Sequence, residues 1–317
     1  MFDVSVIVVN WNTKLLLRDC LASIYEQPGD VNYEVIVVDN ASSDGSVEMV
    51  REEFPQIILV ENSVNRGFAA ANNRGIALAK GRYVLLLNSD TVVCDNAIGK
   101  TVRYADKHPE VAVVGCQVWE NPQAIQMTCF RFPSILNLFL GAIALNRILK
   151  KNRVFGREWM EWWGRDSECQ VDVVSGMFML VRRQAIVQVG LMDESFFMYS
   201  EEADWCYRFS KAGWKVLFWP GAKIIHVDGG SYSSKQVAPE MHVQQHKSLL
   251  IFFRKHYGMI HYLLARLILV VSTGLRCLAW ALMLLGKRIM GRNAAHELKE
   301  NRKRWFVFKF CVFGSEP

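Results

Sequence analysis

Tyr83–Thr91 reads YVLLLNSDT. Tyr83 to Leu87 are bulky, uninterrupted and preceded by Gly81, which predicts a strand buried on both faces of a sheet. The chain then runs straight into Asn88-Ser89-Asp90. The C-terminal end of a central parallel strand is where open α/β sheets bind ligands, and a carboxylate there suits Mg2+ or Mn2+ beside a nucleotide diphosphate. Asp90 is therefore a candidate metal ligand. The competing reading is that Asn88 and Asp90 only close a turn or cap the next helix.

Working outward towards the N-terminus, the same grammar repeats. Val4–Val9 is β-branched except for Ser5, and Asn10-Trp11-Asn12 leads into a helix carrying Leu15, Leu16, Leu17, Cys20, Leu21 and Ile24. Val35–Val38 is a second buried strand that ends in the polar run Asp39–Gly45. Val47–Phe54 reads as a helix, Ile57–Val60 as a strand, and Ala69–Ala79 as a helix following Asn65-Arg66-Gly67-Phe68. Strands alternating with helices over so short a span predict a parallel sheet with right-handed crossovers, each strand delivering polar residues to one edge. Asp39 is placed to accept a hydrogen bond from a base or ribose, or else to shape a turn. Neither G-x-G-x-x-G nor a P-loop occurs, so a Rossmann dinucleotide site and a Walker site are both unsupported.

Beyond a strand at Val111–Val114 the texture changes. Ser134–Lys151 is strongly apolar with a basic end, and Trp159, Trp162 and Trp163 follow; this suits an acceptor wall, a membrane interface or a subdomain core. Val171–Val174 and Met177–Val181 read as strands flanking Ser175-Gly176. Phe196–Arg208, FFMYSEEADWCYR, is the second chemical centre. On a helix Glu201 and Asp204 share a face while Glu202 points elsewhere, and Arg208 lies one turn beyond Asp204 and can pair with it. The aromatic neighbours make the setting apolar, which raises a carboxylate's pKa and suits it to general-base work. His226, after the strand-like Lys215–Trp219, is a metal-ligand candidate or a satisfied core histidine.

With 317 residues, 51% apolar and 21% charged, the chain has the composition of a folded globular protein. Eight cysteines without a C-x-x-C pair indicate neither a zinc site nor a disulfide framework, so they are expected to be reduced. No secretory signal pattern precedes the first strand, which predicts that the bulk of the protein stays in the cytoplasm. The formal charge of +6 is concentrated in Lys287–Lys309, where eight basic side chains meet only Glu297 and Glu300. A basic tail beside an apolar run points to an anionic membrane surface and not to nucleic acid. That run, Leu263–Leu285, is long enough to span a bilayer, but Arg266, Ser272, Thr273 and Arg276 fall within an arc of roughly 120°. The pattern predicts a helix lying in the interface, with a true span and a hairpin packed on the enzyme as alternatives.

The ordered stretches VSVIVVNWN, VIVVDNASSDGS, NRGFAAANNRGI, YVLLLNSDT, VVSGMFMLVRR and GLMDESFFMYSEEADWCYR, with His226 beyond them, resemble the inverting glycosyltransferases of family 2, and within that family the bacterial rhamnosyltransferases. The resemblance runs from Val4 to about His226. It implies an α/β fold of the nucleotide-diphospho-sugar transferase type (GT-A), a mostly parallel sheet flanked by helices. The expected division is a nucleotide-sugar half at 1–115, an acceptor half carrying the base at 116–255, and a membrane-associated helical region at 256–317.

By the same resemblance, Asp39 with Asn12, Arg66, Asn72 and Ser89 would serve the nucleotide, and Asn88 and Asp90 with His226 the Mg2+ or Mn2+. The Glu201-Glu202 pair would supply the base, with Ser175, Gly176, Asp204 and Arg208 in support. Where the family usually has Glu followed by Asp, this chain has two glutamates, and Glu202 stands at the usual base position. Asn88 replaces a first Asp and lowers the charge of the metal motif. The implied partners are a nucleoside diphosphate sugar, with dTDP-rhamnose as the expected donor, and a lipid-linked saccharide acceptor at the cytoplasmic face of the plasma membrane. A nucleotidyltransferase would need a Gly-rich basic loop, which Val9-Asn10-Trp11-Asn12 lacks; a non-catalytic scaffold would not need Asp90 and the Glu pair together.

Overall fold

The computed structural model describes residues 2–27, 29–121, 123–227, 238–290, 293 and 295–314. The first half alternates as expected: β1 (Val4–Asn10), α1 (Lys14–Tyr25), β2 (Tyr33–Asp39), α2 (Ser46–Glu53), β3 (Ile58–Glu61), α3 (Gly67–Leu78) and β4 (Tyr83–Asn88). These strands lie in the order β3-β2-β1-β4, all parallel. Successive residues face opposite sides: Val6 and Val8 pack with Leu17 and Leu21 of α1, while Ile7 packs with Ala69, Ala71 and Ile76 of α3. Both faces are covered, which is why these strands read as continuous apolar runs.

The second half is mixed rather than parallel. It comprises β5 (Thr91–Cys94), α4 (Ala97–Asp106), β6 (Val111–Asn121), β7 (Ala124–Ile125), β8 (Cys129–Phe130), α5 (Ile135–Ala142), α6 (Leu145–Ile148), β9 (Cys169–Gln170), β10 (Val173–Val174), β11 (Phe178–Arg182), α7 (Arg183–Val189), α8 (Glu201–Lys211) and β12 (Lys215–His226). The sheet continues β4-β11-β6-β12-β5, with β11 antiparallel to β4 and β5 antiparallel to β12. Asp90 leads into a short strand and caps no helix. Only Val173–Val174 of the expected 171–174 strand pairs, against β8. One sheet runs through both halves; β6 crosses the 115/116 boundary, and the later 255/256 boundary falls inside a helix.

That helix is α9 (Ala238–Ile289), broken at Gly258 (φ 82°, ψ −177°), and α10 (Ala295–Phe313) packs back on it. α9 is long and apolar enough to cross a membrane. Its polar arc turns inward: Arg266 donates to the carbonyls of Cys311 and Val312 at the end of α10, and Arg276 to Gly141 of α5. Leu263, Leu267, Leu275, Leu278 and Leu282 stay exposed on the outer face. The interface-helix pattern and the packed-hairpin alternative thus occur together, and the apolar outer face suggests membrane association.

Candidate active site

The parallel register brings three strand ends level, pairing Asn10 with Asp39 and Val9 with Asn88. Asp39 is buried, and both its oxygens are engaged by the protein: Asn10 Nδ2 donates to Oδ1 at 3.0 Å and the Ser42 amide to Oδ2 at 2.8 Å. Asn12, at φ 53°, accepts from the Ser43 amide through Oδ1 (2.8 Å) while its own amide donates to Ser42 Oγ (2.9 Å). The two loops therefore lock one another. Asp39 and Asn12 shape this edge through the backbone they fix.

Asn40, passed over in the sequence, is a hub of the same edge. It donates to Asn65 Oδ1 and accepts from Asn62 Nδ2 and the Arg66 amide. Its only sequence signal is adjacency to Asp39. Arg66 leaves its guanidinium partly exposed, 3.5 Å from Glu194. Gly67 (φ +80°) brings the chain so close to Phe197 that an added Cβ would lie 2.2 Å from its carbonyl oxygen. Asn72 lies inside α3 with its amide turned back to the Phe68 carbonyl, so the structure keeps it away from the loop hub.

Ser89 Oγ lies 2.9 Å from Thr13 Oγ1, tying the turn after β4 to the start of α1. Asp90 is buried, with Oδ2 3.1 Å from His226 Nε2. The β5–β12 pairing, Thr91 opposite His226, creates that meeting. Gln126 Oε1 accepts from His226 Nδ1 at 2.8 Å, which leaves the Nε2 lone pair towards Asp90. Asp90 Oδ1 and His226 Nε2 are both buried without a hydrogen-bond partner, and with Nδ1 donating to Gln126 the Nε2 lone pair and Asp90 Oδ2 are two acceptors facing one another.

A divalent cation fits this pair. Donors on neighbouring vertices of an octahedron with 2.1 Å bonds are about 3.0 Å apart, close to the observed spacing. Among the described residues no cluster of three His, Cys, Asp or Glu side chains occurs, so the remaining ligands would be diphosphate oxygens and water.

Across the edge, the Asn88 amide donates to the Met177 carbonyl, and the next amide, Gly176, donates to Glu202 Oε1 at 3.0 Å. A Cβ on Gly176 would stand 2.8 Å from Phe68 Cζ and 3.2 Å from that oxygen, so glycine admits the carboxylate. Ser175 is held by its amide on the Thr128 carbonyl. Among the described residues Glu202 Oε2 accepts no hydrogen bond. Glu201 is turned inward, with Oε2 buried and unpartnered.

Burial raises both acids above the ordinary glutamate range, and the charge of Glu202 raises Glu201 further. Glu201 therefore holds the proton, and Glu202, with a backbone donor at the first turn of α8, is the one that ionises. Tyr199 (φ 68°) and Ser200 (φ 64°) precede the pair in the left-handed region, a strained approach that sets the start of α8.

Asp204 is fully buried under the pair. It accepts from Arg208 Nε (2.9 Å) and His256 Nε2 (2.8 Å), with Lys255 Nζ at 2.5 Å. The expected Arg208 pairing forms, and α9 supplies the Lys255 ammonium and the His256 ring nitrogen, which sequence spacing could not indicate.

Residues 5–154 match the model of glycosyl transferase family 2. The N-acetylglucosaminyl-diphospho-decaprenol L-rhamnosyltransferase of Mycobacterium tuberculosis is 28% identical over 71% of this chain and 76% of its own length. Rhamnosyltransferase WbbL of Escherichia coli is 25% identical over 65% of this chain and 78% of its own. In fold, the chain is similar to the Pyrobaculum calidifontis mannosyltransferase PcManGT solved with GDP-Man and Mn2+, at a TM-score of 0.55 and 18% identity over 99% of this chain and 88% of that one. The catalytic fold is thus of the GT-A type, and residues 5–154 form a glycosyl transferase family 2 domain.

Proposed function

We propose that the chain moves a sugar, L-rhamnose from dTDP-rhamnose, onto a hydroxyl of a growing lipid-linked cell-surface saccharide, with inversion at the anomeric carbon. One observation carries this reading: the under-satisfied Asp90–His226 pair and the Gly176-anchored Glu202 lie along one sheet edge, the first suited to a diphosphate with its cation and the second to a hydroxyl proton. The names of the two relatives favour rhamnose, and one of them favours a diphosphate-linked lipid acceptor.

Glu202 Oε1 is fixed by the Gly176 amide, so Oε2 receives the proton of the acceptor hydroxyl as the acceptor oxygen attacks the anomeric carbon and the bond to the diphosphate on the opposite face breaks. A divalent cation bound by Asp90 and His226 would offset the charge that builds on the departing nucleotide. Asn12, Asp39 and Asn40 hold the loops that border the nucleotide base, and the half-exposed Arg66 guanidinium would exchange its long contact with Glu194 for phosphate or base. Ser89 positions the turn that carries Asp90. The apolar outer face of α9 and the basic tail suit in-plane attachment to the cytoplasmic side of the membrane.

The test is a thermal shift of the full chain with Mn2+ or Mg2+ and a panel of nucleoside diphosphate sugars. A ligand at a hundred times its Kd stabilises by about 2.7 kcal/mol. Metal-dependent stabilisation by dTDP-rhamnose that disappears in Asp90→Ala is expected. The absence of a shift with every nucleotide sugar and both metals would overturn the reading.

A further inference from the structure

Two adjoining cavities of about 210 and 200 Å3 lie where α5, α6, α9 and α10 meet, away from the sheet edge. Both are lined by Arg147, His246, Thr273 and Arg276; the first also includes Glu158, whose carboxyl burial pushes above the ordinary glutamate range, and the second adds Glu300, Lys303 and Arg304. Glu300 answers Lys303 (3.0 Å) and Arg304 (2.7 Å). Arg147 and Arg276 have no carboxylate partner among the described residues. Arg276 lowers its cost with one carbonyl, that of Gly141, while Arg147 makes no side-chain hydrogen bond there. Burial lowers the Arg276 pKa, and the nearby Arg147 and Arg304 lower it further, as expected of like charges gathered together.

Where the cavity sits limits what would occupy it. Its lining includes Leu138, Leu249 and Leu269, and the two helices that wall it, α5 and α9, turn apolar side chains outward on their opposite faces, Leu136, Phe139 and Ile143 on one and Val271 and Leu275 on the other. Its wall also includes Asn137, buried with Oδ1 unpartnered. The link to catalysis is short. Gln244 and Ser248 of α9 donate to the Met198 carbonyl, just before Glu201-Glu202, and Gln245, His246 and Leu249 between and beside them line the cavity. A cation-rich recess between two helices whose outward faces are apolar matches a charged headgroup with a hydrocarbon tail.

We propose that this cavity binds the diphosphate of the lipid-linked acceptor, with the lipid tail running along the exposed faces of α5 and α9. The proposal rests on the reading that the acceptor is lipid-linked. Arg147 and Arg276 supply the charge-assisted hydrogen bonds, and α9 holds the headgroup one turn from the residues that fix the loop before the base.

Binding of farnesyl diphosphate to the full chain in detergent, with EDTA present to silence any metal-dependent diphosphate site, tests it. Arg147→Gln and Arg276→Gln should each weaken binding by about tenfold, while the stabilisation of both variants by nucleotide and Mn2+ stays as in the parent. In turnover, the KM for a lipid-diphosphate acceptor should rise with the donor KM unchanged. Arg147→Gln puts no hydrogen bond of the fold at stake, so unchanged affinity in that variant overturns the proposal even if Arg276→Gln fails to fold. Inorganic pyrophosphate binding as tightly as farnesyl diphosphate would make the cavity a free-phosphate site. Dioleoylphosphatidylglycerol binding as tightly, with the same arginine dependence, would make it a bulk-lipid site; either result overturns the acceptor assignment. Failure of the donor reading would appear separately, as a missing nucleotide–metal shift.

Discussion

Replacing Glu202 with Gln separates basicity from geometry. The amide keeps an Oε1 that can accept from the Gly176 amide at 3.0 Å, so the side chain stays in place without a site for the proton. General-base catalysis contributes roughly 10²- to 10⁴-fold, about 3–5 kcal/mol of barrier, so kcat should fall by that range while donor affinity is retained. Glu201→Gln removes a buried acid that already holds its proton, and should cost only a fewfold. The pH dependence gives a second readout. Because both carboxyls are raised above 4.5, activity should climb as pH rises through the raised pKa of Glu202. Stability runs the other way. Above 4.5 the folded state binds more protons than the unfolded chain, so the pair's contribution declines as pH rises towards the folded pKa, and Glu201→Gln should flatten that decline. Initial rates under saturating donor, with thermal unfolding against pH, measure both. If Glu202→Gln keeps more than about a tenth of the parent kcat, or Glu201→Gln is equally inactive, the assignment of base and proton holder is wrong.

Asp204→Asn should destabilise the chain by about 3–5 kcal/mol, because it removes the anion that Arg208, Lys255 and His256 share at a buried site, Lys255 alone keeping a second carboxylate in Asp193. Burial raises the Asp204 pKa, but the His256 and Lys255 hydrogen bonds more than offset this, so its contribution is present above pH 3.8 and is lost as pH falls through the lowered folded value. A shift in the denaturant midpoint worth less than about 1 kcal/mol would show that the cluster does not hold α8 to α9. For the membrane, alkaline carbonate should release intact chain from isolated membranes, because Arg266 and Arg276 face protein carbonyls and a single apolar face is left for lipid. Retention in the carbonate pellet, or protease access to the basic tail from the outer face, would mean a true span.

The parallel half of the fold, the position of Asp90 at a strand end and the helical face shared by Glu201 and Asp204 were legible in the sequence. Each depends on local periodicity: a doubly covered strand must be apolar throughout, and helical spacing sets which acids share a face. The antiparallel insertion of β11, the meeting of His226 with Asp90, the Asn40 hub and the contacts of Lys255 and His256 with Asp204 were not legible, because each joins segments distant in the chain whose pairing depends on sheet order and packing. The same division applies at the C-terminus. Spacing alone placed Arg266, Ser272, Thr273 and Arg276 on one arc, but only tertiary packing decided that the two arginines of this arc would meet backbone carbonyls of α10 and α5, leaving the leucines outward. Amphipathic periodicity determines that a helix has two faces; which face meets protein is set by the partners that can satisfy its buried polar groups.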